Sequence, residues 1–317
     1  MNPYAGNGIS LIDYLVSHGW KPTRNYGRDE VAGLCPLHRE TRPSFYVNRC
    51  KQVFYCHGCG RGGGIAQLRH WLEGQSFEAT PPADTAEMFE QAYQFFEGQL
   101  QRCPEACTYL RHRGIYDPDV IERMRIGYAP GASLRAHLNH CGHRSSAVRH
   151  AGLIDSLGRD RLFRCIAFPL EEAGSLYGRA IDNVTWRHRF LPRSKGGIYG
   201  WRRAQMFQSL ILVEGLFDLA ALWQAGFPQA VALLGSHPSP SQIAQLQQRR
   251  GLRVHLCLDA DLNGTGQTAS RSLSARLRRA GVEALRVELP IGYDPARLFA
   301  AGLSGQGFQR YLERARP

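Results

Sequence analysis

Two pairs of metal-donor residues stand out in the chain. Cys35-Pro-Leu-His38 and Cys56-His-Gly-Cys59 each place two residues between their donors, and seventeen residues separate the pairs. That spacing lets one tight turn aim two donors at a single ion. Three thiolates and one imidazole close a tetrahedral shell suited to one structural Zn²⁺. A closed shell leaves no position for a substrate, so this metal is expected to hold structure. Cys50 and His57 are surplus to the shell. Cys50 reads as a small core residue and His57 as part of the knuckle.

Carboxylates form a second constellation. Leu210-Ile-Leu-Val213-Glu214-Gly215 is an apolar strand that ends in a carboxylate and a glycine, and Asp218 follows one helical turn later. Leu256-Cys-Leu258-Asp259-Ala-Asp261 repeats the device, with both Asp residues on one side of a strand end. Tyr293-Asp294-Pro295 follows the last strand. Carboxylates gathered at strand ends repel one another unless cations compensate. Oxygen donors suit Mg²⁺ or Mn²⁺, the usual apparatus of phosphoryl and nucleotidyl transfer. Each acid also has a plainer role. Asp261 opens a turn-like Asp-Leu-Asn-Gly, Asp218 fits an exposed helix position, and Asp294 fits a cap on the last helix.

Cations accompany both sets. Arg42 and Lys51 flank the cysteine pairs, among Phe45, Tyr46, Phe54 and Tyr55. Cations interleaved with aromatic rings suit single-stranded nucleic acid. Strands alternate faces, so half of these rings are expected in a core. Residues 161–203 carry nine Lys and Arg against three Asp and Glu. Such an excess asks for an anion, a triphosphate or a nucleic acid backbone. His137, His140, Cys141 and His143 imitate a metal cluster but lack paired knuckles. Cys103 and Cys107, four apart on a helix, read as packing residues.

These groups need elements to hold them. Strands at Leu210–Val213, Ala230–Leu234, Arg253–Leu258 and Ala284–Leu289 alternate with helices at Leu216–Ala225, Ser239–Arg250 and Gln267–Ala280, which predicts a doubly wound, parallel sheet. Ligands gather at the carboxyl ends of such strands, where Glu214 and Asp259 lie. Upstream, residues 9–18 and 86–113 have helical spacing. The segmentation is 1–75, a zinc-binding ribbon; 76–85, a linker; 86–205, a mixed α/β basic subdomain; and 206–317, a metal-binding α/β domain. The class is thus a multidomain α+β and α/β protein. The 317 residues hold 39 Lys and Arg against 27 Asp and Glu, a formal net charge of +12 that favours a polyanionic partner. No apolar run reaches the ~18 residues needed to span a bilayer. The first ten residues do not form a secretory signal, so a cytoplasmic protein with reduced, metal-binding cysteines is expected.

Read together, the motifs resemble those of bacterial DnaG-type primases. The zinc segment runs through Cys35-Pro-Leu-His38, Thr41-Arg-Pro-Ser-Phe45 and Phe54-Tyr-Cys-His-Gly-Cys-Gly60. Tyr109-Leu-Arg-His-Arg-Gly114, Ile126-Gly-Tyr-Ala-Pro130 and Ile166-Ala-Phe-Pro169 resemble the first half of the polymerase core. Val213-Glu-Gly215, Leu234-Gly-Ser236 and Asp259-Ala-Asp261 are similar to the TOPRIM metal-binding domain. The likeness spans about residues 9–300, with the modules in the family's order. It implies template-directed synthesis of short RNA primers from NTPs on a single-stranded DNA template. Glu214, Asp259 and Asp261 would be catalytic, holding Mg²⁺ or Mn²⁺ with Asp218 and Asp294. Arg123, Arg161, Arg164, Arg179, Arg189 and Lys195, with Arg42 and Lys51, would guide nucleic acid and nucleotides. The chain departs from the family in losing the Tyr of Gly-Tyr-x-Asp, in Asp294-Pro-Ala-Arg297 replacing a more acidic run, and in lacking an Asn-Ser after the basic strand. With the sequence ending at Pro317, a form lacking the family's helicase-binding domain is expected. A minimal form from a plasmid, phage or integrative element is expected, with a replicative helicase or an element-encoded replication protein as further partner. The competing readings are a TOPRIM nuclease and a non-catalytic single-stranded DNA-binding accessory protein.

Overall fold

The computed structural model describes residues 10–27, 29–38, 40–59, 61–72, 83–170, 173–182, 186–191, 195–235, 238–260 and 265–317. The chain divides into two compact units, one of residues 1–80 with 192–194, the other of 81–191 with 195–317.

In the first unit, helix α1 (Leu11–Ser17) is capped by Ser10, whose hydroxyl accepts from the Asp13 backbone N–H. A five-stranded antiparallel sheet follows in sequential order: β1 (Pro22–Tyr26), β2 (Glu30–Gly33), β3 (Phe45–Asn48), β4 (Val53–Cys56) and β5 (Gly62–Gly63). Helix α2 (Ile65–Leu72) closes the unit. Period-two alternation sorts the aromatic residues. Phe45 and Phe54 are buried with Trp20, Leu11 and Leu68, whereas Tyr46 and Tyr55 are only half-buried.

The second unit begins with α3 (Ala83–Gln101) and α4 (Pro104–His112). The helical spacing over 86–113 is therefore two helices, because Pro104 cannot continue the first and instead starts the second. Next come α5 (Pro118–Arg123), β6 (Gly127–Ala129), α6 (Leu134–His140), α7 (Ser145–His150), β7 (Cys165–Leu170), β8 (Ser175–Ala180) and β9 (His188–Phe190). The four strands make an antiparallel meander in the order β6-β7-β8-β9. Helix α8 (Trp201–Ala204) leads into β10 (Ser209–Val213), α9 (Leu216–Gln224), β11 (Ala230–Ala232), α10 (Pro240–Gln247), β12 (Arg253–Leu256), α11 (Thr265–Arg279), β13 (Glu283–Arg286), α12 (Pro295–Ala300) and α13 (Gly305–Glu313).

The second sheet is all parallel, in the order β11-β10-β12-β13. Its strands are covered on both faces and so read as unbroken apolar runs. Alternate residues divide between two cores. Ile211, Val213, Ala230 and Ala232 join the cluster under α9, while Leu210, Leu212, Val231 and Leu233 join that under α10 and α11. The first cluster also takes Leu110, Ile115, Met124, Ile166 and Phe168, so one core passes from the antiparallel meander into the parallel sheet. The Gln224 side chain ties this junction: Oε1 accepts from the N–H groups of Tyr116 (3.0 Å) and Asp117 (2.9 Å), and Nε2 donates to Gly114 O (3.0 Å). Among the described residues, no helix is long and apolar enough to cross a membrane.

Candidate metal centres and nucleic-acid cleft

The knuckles bring the four donors of the first constellation together. One ligand atom from each of Cys35, His38, Cys56 and Cys59 lies within 4.8 Å of all the others, the one such group among the described residues. Each knuckle closes with an N–H···S contact, Leu37 N to Cys35 Sγ (3.3 Å) and Cys59 N to Cys56 Sγ (3.4 Å). The neighbouring thiols of Cys35 and Cys59, with the Ser44 hydroxyl 3.2 Å away, push the Cys56 thiol down, and the same crowding pushes Cys35 up. This donor set fits a closed structural Zn²⁺ site.

An outer layer completes the centre, and the spacing of the cysteines gave no sign of it. His38 turns Nδ1 toward Cys56 Sγ (3.8 Å) and Nε2 toward Glu40 Oε2 (3.1 Å). Glu40 Oε1 accepts from the Cys35 backbone N–H at 2.7 Å, and Glu40 Oε2 accepts from the Ser44 hydroxyl. A carboxylate behind a ligating imidazole fixes its tautomer and raises its basicity. The surplus residues stand aside. Cys50 is exposed, with its thiol 3.1 Å from Asp29 Oδ1, because it occupies a turn rather than a core position. His57 is exposed and meets Tyr46 and Tyr55 edge-on, at 5.1 and 4.9 Å between centroids. Tyr26 lies 5.5 Å from Tyr46, so an aromatic strip runs across the outer sheet face. Arg42 and Lys51 are exposed.

The second constellation converges on the carboxyl ends of the parallel strands. Glu214, Asp218, Asp259 and Asp294 line one cleft of about 630 Å³. The Asp259 backbone N–H donates to Glu214 Oε1 at 3.3 Å, linking the ends of β10 and β12. Asp218 is buried, not exposed, and its Oδ1 accepts from the Ala296 N–H at 3.1 Å. Burial, and then the nearby Asp294 and Asp259, push its carboxyl well above the usual range. Asp294 caps α12, accepting from Arg297 N at 2.6 Å, while also facing the cleft. The loops are pinned by two backbone bonds, Ala260 N to Tyr293 O (3.1 Å) and Gly292 N to Ala260 O (2.6 Å). Asp261 lies outside the described residues. A buried carboxyl opposed by two others is the electrostatic situation that a divalent cation relieves, and oxygen donors suit Mg²⁺ or Mn²⁺.

Cations line the same cleft: Arg113, Arg179, Arg187, Lys195 and Arg297. Lys195 Nζ donates to Leu234 O at 3.1 Å and sits 4.2 Å from the Phe190 ring centroid; burial lowers its pKa to about 8. Arg113 stacks 4.7 Å from the Phe217 ring. His188 is held below the usual imidazole range by burial and then by Arg179, Lys195 and Arg187.

Other expected cations lie elsewhere. Register explains Arg189. On β8 and β9, Arg179 pairs with His188 and Gly178 with Arg189, so His188 shares the cleft face and Arg189 takes the other. There Arg189 lies 4.6 Å from the Trp186 ring and donates to Arg161 O at 2.7 Å. Arg161 donates to Ile154 O at 3.2 Å. Arg164 is paired with Asp182 and Glu105. Arg123 lines a neighbouring pocket of about 360 Å³ with Arg202, Arg203 and Lys195. His137 stacks on Phe95 at 4.6 Å and His143 contacts Gln91 at 2.9 Å, while His140 and Cys141 are exposed, so these residues do not gather into a metal site. Cys103 and Cys107 pack against the main core.

Comparison with known proteins agrees with this geometry. Residues 12–96 match the CHC2 zinc finger of DnaG and residues 208–288 match the Toprim domain. The DNA primase of Aquifex aeolicus is 30% identical over 82% of this chain and 59% of its own length. The crystal structure of the Aquifex aeolicus primase zinc-binding and RNA polymerase domains superposes with a TM-score of 0.63 at 25% identity, over 97% of this chain and 83% of that one. A DnaG primase catalytic domain solved bound to ssDNA matches with a TM-score of 0.60 at 26% identity, over 74% of this chain and 81% of that one. Zinc ribbon first, Toprim domain after, on a shared fold: the chain belongs with the DnaG-type primases. It spans 59% and 56% of the length of the Aquifex aeolicus and Staphylococcus epidermidis relatives.

Proposed function

We propose that this chain is a DNA primase, synthesising short RNA primers on single-stranded DNA by metal-dependent nucleotidyl transfer. The observation that carries the reading is one cleft in which Glu214, Asp218, Asp259 and Asp294 face Arg113, Arg179, Lys195 and Arg297. Acids alone suit a cation, and cations alone suit any anion. Side by side they suit a triphosphate that arrives with its metal.

Glu214 and Asp259, with Asp261 from the sequence motif, hold the divalent ion, and Asp218 and Asp294 set the charge behind them. When bound, Mg²⁺ or Mn²⁺ supplies Lewis-acid activation of a 3′-hydroxyl and neutralises phosphate charge. Arg179, Arg113 and Lys195 clamp phosphate oxygens. Tyr109 and Tyr177 lie beside Arg179 and favour its charged form against the cost of burial. The strip of Tyr26, Tyr46, Tyr55 and His57 in the zinc ribbon offers ring faces to template bases, each stack contributing about 1–3 kcal/mol.

The test is incorporation of labelled ribonucleotides on single-stranded DNA with Mg²⁺ or Mn²⁺, beside Glu214→Ala. Template-dependent short RNA that disappears in the variant supports primase action. Degraded template in place of product would identify a nuclease, and intact DNA binding with neither would identify an accessory protein.

A further inference from the structure

The α10–α11 face of the parallel sheet carries an imbalance of charge that the cleft does not use. Residues 219–258 and 262–282 contain seven arginines and not one Asp or Glu. Both helices lie on this face, since Ile243 and Leu246 of α10 share a core with Leu273 and Leu277 of α11. Their C-terminal ends meet where Gln247 Nε2 donates to Ala280 O at 3.3 Å. On α11 the buried side is Ser270, Leu273, Ser274 and Leu277, which turns Arg271, Ala275 and Arg278 outward along one line. Arg271 and Arg278 are two turns apart, about 10 Å along the axis. Arg250 and Arg279 are also exposed. Among the described residues none of these four has an ion pair; Glu283, the acid that follows α11, is engaged by Arg253 at 2.9 Å.

Helix electrostatics explain part of this. Cations in the last turn of α11 complement the negative end of its dipole. That accounts for Arg276, Arg278 and Arg279, but not for Arg271 in the middle of the helix or Arg250 on another element. A solvated surface normally mixes both signs, so an unbalanced one points to an anionic partner. A membrane surface would also ask for apolar side chains to insert. The exposed residues beside the arginines of α11 are Thr268, Ser272 and Ala275, and near Arg250 a single large apolar side chain, Met206, is exposed next to the Phe207 carbonyl that Arg249 holds, which is too little apolar surface to insert into a bilayer.

We propose that the α10–α11 face is a second nucleic-acid contact, holding phosphate backbone through Arg250, Arg271, Arg278 and Arg279, apart from the carboxylate cleft. It carries no base-reading chemistry, so it acts without sequence preference and retains long template or product strands. The proposal goes beyond primer synthesis, and its test does not need synthesis.

The test measures equilibrium binding of the zinc-loaded full chain to a long and a very short DNA across a salt series, for wild type, Arg271→Gln/Arg278→Gln and Arg271→Lys/Arg278→Lys. Two lost phosphate contacts flatten the slope of log K against log salt by about 1.8 on duplex DNA. The expected result is that flattening on long DNA, no change on the short oligonucleotide, and recovery in the Lys variant. Lys recovery also separates lost charge from misfolding. An unchanged slope on long DNA would overturn the proposal. Equal loss on short and long DNA would overturn it too, and so would weakened binding to phosphatidylserine vesicles with DNA binding unaltered.

Discussion

The two metal centres of this chain are built on opposite plans. In the zinc ribbon, all four donors come from two local turns and lie within 4.8 Å of one another, with Glu40 and Ser44 locking them from outside. In the cleft, donors come from the ends of three strands or loops, and among the described residues no three carboxylates gather as closely. The first centre is complete as folded, and its metal belongs to the fold. The second holds charge in suspense, with Asp218 buried against its neighbours and cations across the gap. A closed centre stabilises; an open one leaves room for substrate. The contrast makes distinct predictions.

The largest effect is expected at the closed centre. Structural Zn²⁺ supplies apparent free energies of about 10–16 kcal/mol in zinc-finger peptides. Cys59→Ser, or a strong chelator, should release the zinc and unfold residues 10–72. Hydrogen exchange should show that loss while the parallel sheet stays protected. Unfolding of both units together would break the comparison.

Next comes the open centre. Asp259→Ala should weaken Mn²⁺ binding at least ~100-fold, about 2.7 kcal/mol at 1.36 kcal/mol per decade. Zinc content and thermal midpoint should hold. Paramagnetic titration of Mn²⁺ reads the affinity directly.

Glu40→Gln keeps an acceptor but removes the charge behind His38. Outer-shell carboxylates are worth about 10- to 100-fold in metal affinity. Zinc transfer to a colorimetric chelator should accelerate within that range. An unchanged transfer rate would mean that Glu40 only shapes the loop.

A smaller, pH-dependent difference belongs to Asp218. Its carboxyl is raised in the fold by burial and neighbouring acids. Ionising it in the metal-free protein therefore costs stability, and that cost appears as pH rises above the unfolded value of ~3.9 and grows until the raised value is passed. Asp218→Asn should melt higher than wild type at neutral pH, and Mn²⁺ should narrow the gap. Equal melting temperatures at acid and neutral pH would contradict the burial.

How much of this was legible in the sequence follows from the same contrast. Donors separated by two residues announce themselves, and so do acids that end apolar strands. The parallel strands and their helices were legible because buried β-runs alternate with helical periods, and observed bounds differ from expected ones by a few residues. Glu40 was hidden, because nothing in its spacing marks it as reaching His38. The cations of the cleft were half hidden. Arg179 and Lys195 were expected there, but His188 and Arg189 exchange faces by a single step of register. Arg113 and Arg297 arrive from the end of α4 and the first turn of α12, which composition does not bring together. Arg164 was misleading for a simpler reason: its charge is met by Asp182 and Glu105.

If the ribbon's metal holds structure and the cleft carries the proposed nucleotidyl transfer, one substitution can separate the two. The most direct measurement is primer synthesis on single-stranded DNA by Asp259→Asn, with zinc counted in the same sample. The account predicts one zinc per chain, unaltered template binding and no primer. Primer made at the wild-type rate by that variant would contradict it.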